Sequence, residues 1–136
     1  MNIKPKIGVV SCSGECCILG TLSRVATRFI LEGVRADTVT LCLPLFLAGD
    51  SGEREFAQRF PTVSVDGCHK LCAKKAIVEH SGPTAASVDV EKLLVEWGEE
   101  PTGTRKTLSA KDVELAKRIA QEVAGRVDEA REAQDG

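Results

Sequence analysis

The middle of the chain carries the sequence Val65-Asp66-Gly67-Cys68-His69-Lys70-Leu71-Cys72-Ala73-Lys74-Lys75. It starts at the end of an apolar, β-branched run, breaks at Gly67, and continues from Lys70 in residues that favour a helix. Cys68 therefore lies at a predicted strand-to-helix turn, and Cys72 follows four residues later on the same helix face. Both thiols lie at the positive end of the helix dipole, which favours thiolate, the form that binds metals and attacks electrophiles.

The sequence on either side of this stretch alternates between strand and helix patterns. Short apolar runs predict buried strands at residues 7–11, 39–43 and 63–65, with a weaker fourth strand at 85–88. A last helix is predicted over residues 109–132, and the charged tail at 129–136 is expected to fray. This order predicts one α/β domain over residues 1–136. We expect a small three-layer, Rossmann/flavodoxin-like fold with a parallel sheet of about four strands and helices on both faces.

Six cysteines are unusual in a chain of 136 residues that has enough apolar residues, 43%, to build its own core. The net charge of −2 makes nucleic acid and anionic membranes poor candidate partners. No apolar run approaches the roughly 20 residues of a membrane span, and no signal-peptide pattern is present. We therefore expect a cytoplasmic protein, in which many cysteines indicate metal binding or redox chemistry rather than disulfides.

The cysteines fall at positions that a parallel sheet would bring together. Three of them end predicted strands, and the carboxyl ends of parallel strands meet at one edge, where ligands bind. Cys72 joins that edge from the first turn of the next helix, and two more cysteines lie at the start of the first helix. The candidate metal ligands are Cys12, Cys42, Cys68 and Cys72, followed by Cys16 and Cys17. Cys42, inside an apolar run, has core packing as an alternative role.

A set of four thiolates is what a tetrahedral zinc site requires. Thiolates also suit an iron–sulfur cluster or Cu(I), and the number of ligands does not separate these possibilities. The spacing of the cysteines is not the CxxC of a zinc ribbon or of a thioredoxin-like redox motif.

The chain resembles the DGC-domain family of zinc-binding proteins, which takes its name from the tripeptide present here at Asp66-Gly67-Cys68. The matching motifs are Ser11-Cys12-Ser13-Gly14, Cys42-Leu43, Val65-Asp66-Gly67-Cys68 and Leu71-Cys72-Ala73-Lys74-Lys75. The resemblance implies zinc binding by the four cysteines Cys12, Cys42, Cys68 and Cys72, and it implies no particular reaction. This sequence differs from the family pattern by adding Cys16 and Cys17 and by having Pro44-Leu45-Phe46-Leu47 after Cys42.

Three functions fit these observations. The first is a cysteine-rich protein that holds one zinc ion on thiolates at the sheet edge, in a structural or metal-handling role, with no catalytic residue assigned. The second is a thiol or persulfide carrier, or a redox protein, that uses Cys12, Cys16, Cys68 or Cys72. The third is an iron–sulfur protein on the same cysteines. The apolar stripe of the last helix predicts core packing, with a homodimer interface as the alternative.

Overall fold

A three-stranded parallel sheet forms the centre of the computed structural model, which describes residues 6–14 and 16–135. The strands, in their order across the sheet, are β1 (Gly8–Ser11), β2 (Thr62–Asp66) and β3 (Ala86–Asp89). The helices are α1 (Ile18–Phe29), α2 (Leu43–Leu47), α3 (Ser51–Arg54), α4 (Phe56–Arg59), α5 (Cys72–His80), α6 (Val90–Trp97) and α7 (Ala110–Asp135). A π-helical turn at Ile30–Val34 continues α1. The predicted α/β class with a parallel sheet is confirmed.

The strand register brings the carboxyl ends of the three strands to one edge of the sheet. Ser11 of β1 pairs with Val65 of β2, and Asp66 of β2 pairs with Asp89 of β3. The chain therefore leaves β1 and β2 at nearly the same level, with Cys12 next along one strand and Gly67 next along the other. We call this side of the sheet the carboxyl edge.

The predicted strand at residues 39–43 is reduced to one residue. Val39 donates its amide to the carbonyl oxygen of Ile7 at 3.1 Å, and its own carbonyl oxygen accepts the amide of Val9 at 2.8 Å. This isolated parallel bridge lies beside β1. The part of the chain that the structure describes thus has three strands rather than about four, and the Rossmann/flavodoxin-like class stays a prediction.

Two local features explain why the strand stops after Val39. Pro44 lies in the first turn of α2, where its fixed backbone angle suits a helix and its missing amide costs nothing. The amide of Cys42 donates to the carboxylate of Glu53 at 2.9 Å, so it is unavailable to a strand partner. The apolar run was therefore a helix start rather than a buried strand, an ambiguity that short apolar runs carry.

Apolar cores lie on both faces of the sheet. Because neighbouring residues in a strand point to opposite faces, Val9 belongs to one core and Val10 to the other. The larger core packs the sheet against α1, α6 and α7, and the smaller one packs it against α4 and α5. Helices therefore cover both faces, as the alternating pattern predicts.

Helix α7 runs three residues beyond the predicted end at 132 and is helical through most of the predicted frayed tail. Its apolar residues are buried in the larger core, as the stripe predicts. Residues 1–5, Glu15 and Gly136 lie outside the described residues. The predicted domain at 1–136 and the predicted tail at 129–136 therefore include residues that the structure does not describe. Within the described part, no helix is both long and apolar enough to cross a membrane.

The start of α7 depends on Asp112, whose side chain is fully buried. Its carboxylate accepts the amides of Thr102 and Gly103, each at 2.7 Å, and of Ser109 at 3.0 Å. In return, the Asp112 amide donates to the Ser109 hydroxyl at 3.1 Å, which completes a reciprocal cap. Burial raises the pKa of Asp112, but hydrogen bonds from Ser109, Thr102 and Gly103 outweigh it and hold the pKa below its ordinary value.

Gly67, the first residue after β2, lies directly against the backbone of α1. A Cβ atom at this position would be 2.6 Å from the carbonyl carbon of Leu19 and 2.7 Å from the amide nitrogen of Gly20. A Cβ atom at Gly20 would in turn collide with the carbonyl group of Gly14. The segment after β1, the first turn of α1 and the segment after β2 therefore pack backbone to backbone, which requires glycine.

We predict that Gly67→Ala destabilises the protein by about 1–3 kcal/mol, because the new methyl group forces the backbones of α1 and the turn apart. The matched control is Gly125→Ala in α7, where an added Cβ would meet no atom within 4 Å. That change should leave the protein equally stable or up to about 1 kcal/mol more stable, because alanine favours helix over glycine. Urea denaturation measures both, and equal effects at the two positions would contradict the close packing.

We predict that Asp112→Asn lowers the free energy of unfolding at neutral pH by about 1–3 kcal/mol, because the amide turns an N–H donor towards amides that need an acceptor. The folded-state pKa of Asp112 is lowered, so its carboxylate stabilises the fold above the unfolded pKa and loses this effect as the pH falls below about 4. The gap between wild type and variant should therefore shrink on acidification. A gap that stays constant down to pH 2.5 in denaturation curves would overturn the assignment.

Candidate metal centre

Asp66 ends β2 and caps the start of α5. Its buried carboxylate accepts the amide of Ala73 at 2.7 Å and the amide of Lys74 at 3.2 Å. These amides belong to the first turn of α5, where backbone donors lack partners within the helix. Burial raises the pKa of Asp66, and the two amide hydrogen bonds oppose that rise. The aspartate thus fastens α5 to the end of β2.

The turn between β2 and α5 is tight. The amide of Leu71 donates to the carbonyl oxygen of Cys68 at 3.1 Å, and Leu71 holds a left-handed backbone with φ 53°. This conformation is unfavourable for a residue other than glycine, and it persists only where surrounding contacts impose it. The turn leaves Cys68 half-buried and places Cys72, which is exposed, at the first position of α5.

Cys12 follows β1 and lies beside this turn. Its Sγ accepts a hydrogen bond from the amide of Gly67 at 3.3 Å, and its own amide donates to the carbonyl oxygen of Val65 at 3.0 Å. The sulfur of Cys12, after β1, is therefore hydrogen-bonded to Gly67, the residue before Cys68, after β2. This confirms the predicted positions of Cys12 and Cys68 at the carboxyl ends of their strands.

Cys12 has a second partner, Ser23 on α1. The Ser23 hydroxyl donates to the carbonyl oxygen of Gly20 at 2.7 Å, so its single proton is in use. Cys12 Sγ and Ser23 Oγ lie 3.4 Å apart, within hydrogen-bond distance for sulfur. Cys12 Sγ therefore contacts both the amide of Gly67 and the hydroxyl group of Ser23.

Cys42 is exposed, at the N-cap position of α2. The expectation that it ends a strand is wrong, because the strand pairing stops at Val39. Its exposure also removes the alternative that it packs in the core. Cys42 lines a cavity together with Ser11 and Ser13 at the end of β1.

Cys16 and Cys17 are both exposed before α1. Cys17 is the N-cap residue of α1, with an extended backbone and a side chain that makes no capping hydrogen bond. Its carbonyl oxygen accepts the amide of Thr21 at 3.3 Å. Neither thiol packs in the core, so both are available to a ligand or a reactant.

The predicted ligand set is not gathered into one group. Across residues 6–14 and 16–135, no three cysteine, histidine, aspartate or glutamate side chains are placed to hold one metal ion. All six cysteines are free thiols, and sulfur is a donor that zinc prefers. The cysteine thiols therefore fit zinc by their chemistry. Their side chains would have to change conformation before four of them could surround one ion.

Glu91, in the first turn of α6, holds the β2–α5 turn through contacts with His69 and Gly67. Its carboxylate accepts from the His69 ring at 2.9 Å and from the His69 amide at 3.2 Å, and its own amide donates to the carbonyl oxygen of Gly67 at 3.1 Å. The hydrogen bond from the His69 side chain lowers the pKa of Glu91. An acidic residue in the first turn of a helix has an ordinary local explanation, so no sequence pattern identifies this contact. The same holds for Ser23 in the middle of α1.

The comparisons with known proteins agree with the motifs. The DGC domain family matches residues 8–123, from the start of β1 into α7. No curated protein and no solved structure matches the chain. The matched range contains the β2–α5 turn at Asp66-Gly67-Cys68 and five further cysteines. Because the match covers most of the chain, we conclude that this protein belongs to the DGC domain family.

Proposed function

We propose that this protein binds a zinc ion through thiolates at the carboxyl edge of its sheet. The observation that carries the proposal is the hydrogen bond of 3.3 Å from the amide of Gly67 to Cys12 Sγ. It holds a thiol from the end of β1 beside the turn that supplies Cys68 and Cys72. The membership in a family whose pattern includes these cysteines supports the same conclusion.

In this proposal, Cys12 and Cys68 are the fixed ligands and Cys72 and Cys42 complete the set. The first two follow hydrogen-bonded strands, so the sheet limits their movement. The exposed thiols of Cys72 and Cys42 lie at helix starts and can adopt new rotamers at little cost in packing. Zinc bound by four sulfurs would have no position left for water, so its role would be structural or metal handling rather than catalytic.

The amide of Gly67 would help Cys12 as a ligand. A metal-bound cysteine carries negative charge on sulfur, and an N–H group that points at the sulfur stabilises this charge. Many cysteines in a chain that can build its own core are typical of metal-binding or redox proteins of a reducing compartment, which supports a cytoplasmic location. The net charge of −2 supports the expectation that the partner is a metal ion rather than nucleic acid.

The exposure of four thiols, those of Cys16, Cys17, Cys42 and Cys72, supports a second candidate function. Exposed thiols are accessible to electrophiles and oxidants, as a sulfur carrier or redox protein requires. An iron–sulfur cluster on the same cysteines is the third candidate. The three candidate functions predict different metal contents for the purified protein.

We predict about one zinc ion and little iron per chain in anaerobically purified protein, by elemental analysis. Zinc affinity, measured by competition with a chelating dye, should fall at least tenfold in Cys12→Ser and Cys68→Ser, because each loses a fixed ligand. The matched controls are Cys16→Ser and Cys17→Ser, which should keep wild-type affinity. Circular dichroism of each variant separates the loss of a ligand from the loss of the fold.

Three results would reject zinc binding at this edge. Brown protein with absorbance near about 400 nm would indicate an iron–sulfur cluster. Metal-free protein with rapidly alkylated thiols would indicate thiol chemistry. Zinc that is lost in Cys16→Ser and Cys17→Ser but kept in Cys12→Ser would place the ion at the start of α1 instead.

A further inference from the structure

Strand β3 forms an open edge of the sheet. The strand order β1-β2-β3 leaves β2 as its only neighbour in the sheet. The opposite edge is closed at Val39, which makes two backbone hydrogen bonds, one to Ile7 and one to Val9. No segment of the described chain covers β3 in this way. We infer that β3 pairs with β3 of a second copy of this chain, antiparallel about a two-fold axis, so that the two sheets join into one.

The hydrogen bonds between β2 and β3 show which backbone groups of β3 are unused. The amide of Ala85 donates to the carbonyl oxygen of Thr62 at 2.8 Å, so it points towards β2. Backbone groups alternate in direction along a strand, and residues 85, 87 and 89 therefore face β2. Ala86 and Val88 turn their amide and carbonyl groups to the open side. Among residues 6–14 and 16–135, these outward groups have no backbone partner.

A groove runs along the open side of β3. A cavity of about 360 Å³ borders Ser87, Val88 and Asp89, and it is walled by residues of α5, α6 and α7. Ser87 is exposed and Ala86 is half-buried, while the Val88 side chain packs in the larger core. Proline and lysine, which commonly block pairing at sheet edges, are absent from β3. The edge is therefore open to another strand.

The spacing of the two outward residues fits the pairing of β3 with itself. About a two-fold axis at Ser87, Ala86 of one copy lies opposite Val88 of the other copy, and the reverse pair lies on the other side of the axis. Each of these pairs exchanges two hydrogen bonds in an antiparallel ladder. The amide and carbonyl groups of Ala86 and Val88 are then all used. Ser87 meets its own copy at the axis, where the exposed side chains become direct neighbours.

The charges along the groove also fit a second copy. A surface that meets itself across a two-fold axis must carry both signs of charge, because a single sign would repel its own copy. Cations and anions line the groove in equal numbers: Lys74, Lys92 and Arg126 against Asp89, Glu96 and Glu122. Antiparallel pairing directs the carboxyl edges of the two sheets away from each other. Both edges stay accessible, so this inference does not depend on zinc binding.

The test is analytical ultracentrifugation of the full-length protein from micromolar to millimolar concentration. A chelator and a reductant are present, so that neither a metal ion nor a disulfide joins two chains. We expect a monomer–dimer equilibrium. Hydrogen exchange followed by NMR should show that the amides of Ala86 and Val88 become protected as the dimer forms, because they gain acceptors only there. Protein that stays monomeric, or that assembles beyond two copies, would overturn the inference.

Two variants of β3 test the strand itself. Ala86→Pro removes an outward amide and leaves the hydrogen bonds to β2 in place, so it should fold but dimerise about tenfold more weakly or worse. Ser87→Lys brings two like charges together at the axis and should weaken dimerisation by about as much. Circular dichroism melting of each variant at low concentration shows whether the monomer is intact. If Ala86→Pro does not fold, Ser87→Lys carries the test, because its side chain is exposed.

The matched control is Ser51→Lys, which adds the same charge at an exposed serine of α3, outside the groove. It should dimerise as wild type does. Equal weakening in Ser51→Lys and Ser87→Lys would show an effect of net charge and would contradict pairing through β3. Dimerisation that survives both Ala86→Pro and Ser87→Lys would place the interface on another surface and would also contradict it.

Discussion

The close approach of Gly67 to the first turn of α1 is the constraint on which the rest of this structure depends. With no side chain at that position, the end of β2 lies against Leu19 and Gly20, and its amide reaches Cys12 Sγ. Its carbonyl oxygen is held by the amide of Glu91. Gly67 thus contacts the end of β1, the start of α1 and the start of α6. These three contacts hold the β2–α5 turn in place.

The three residues of the family motif have separate physical roles in this arrangement. Asp66 accepts the first-turn amides of α5 and fixes the direction of that helix. Gly67 permits the backbone contact, and Cys68 offers a half-buried thiol at the position so created. The tripeptide therefore supplies a cap, a close backbone contact and a thiol in succession at the carboxyl edge.

Much of this could be predicted from the sequence, for reasons that differ between elements. The β-branched runs before Cys12 and before Gly67 predicted β1 and β2, because parallel strands that are buried on both faces consist mainly of apolar residues. The strand predicted at residues 39–43 was wrong, because Pro44 and Glu53 favour the start of a helix there. Both residues act on the backbone, and a hydropathy pattern does not report this effect. The convergence of the thiols was argued mainly from strand ends, and this argument fails for Cys42, which lies at the start of α2. Cys72 lies in the first turn of α5, as predicted. The contacts from Ser23 and Glu91 could not be predicted, because they join residues far apart in the chain through ordinary side chains.

We propose that the end of β1 and the β2–α5 turn supply thiolates to the same ion. Cadmium replaces zinc on thiolates, and NMR correlation of bound cadmium with cysteine β-protons identifies each ligand individually. The claim predicts correlations from a single cadmium ion to both Cys12 and Cys68. Correlations to Cys68 and Cys72 without Cys12, or to Cys16 and Cys17 alone, would contradict it.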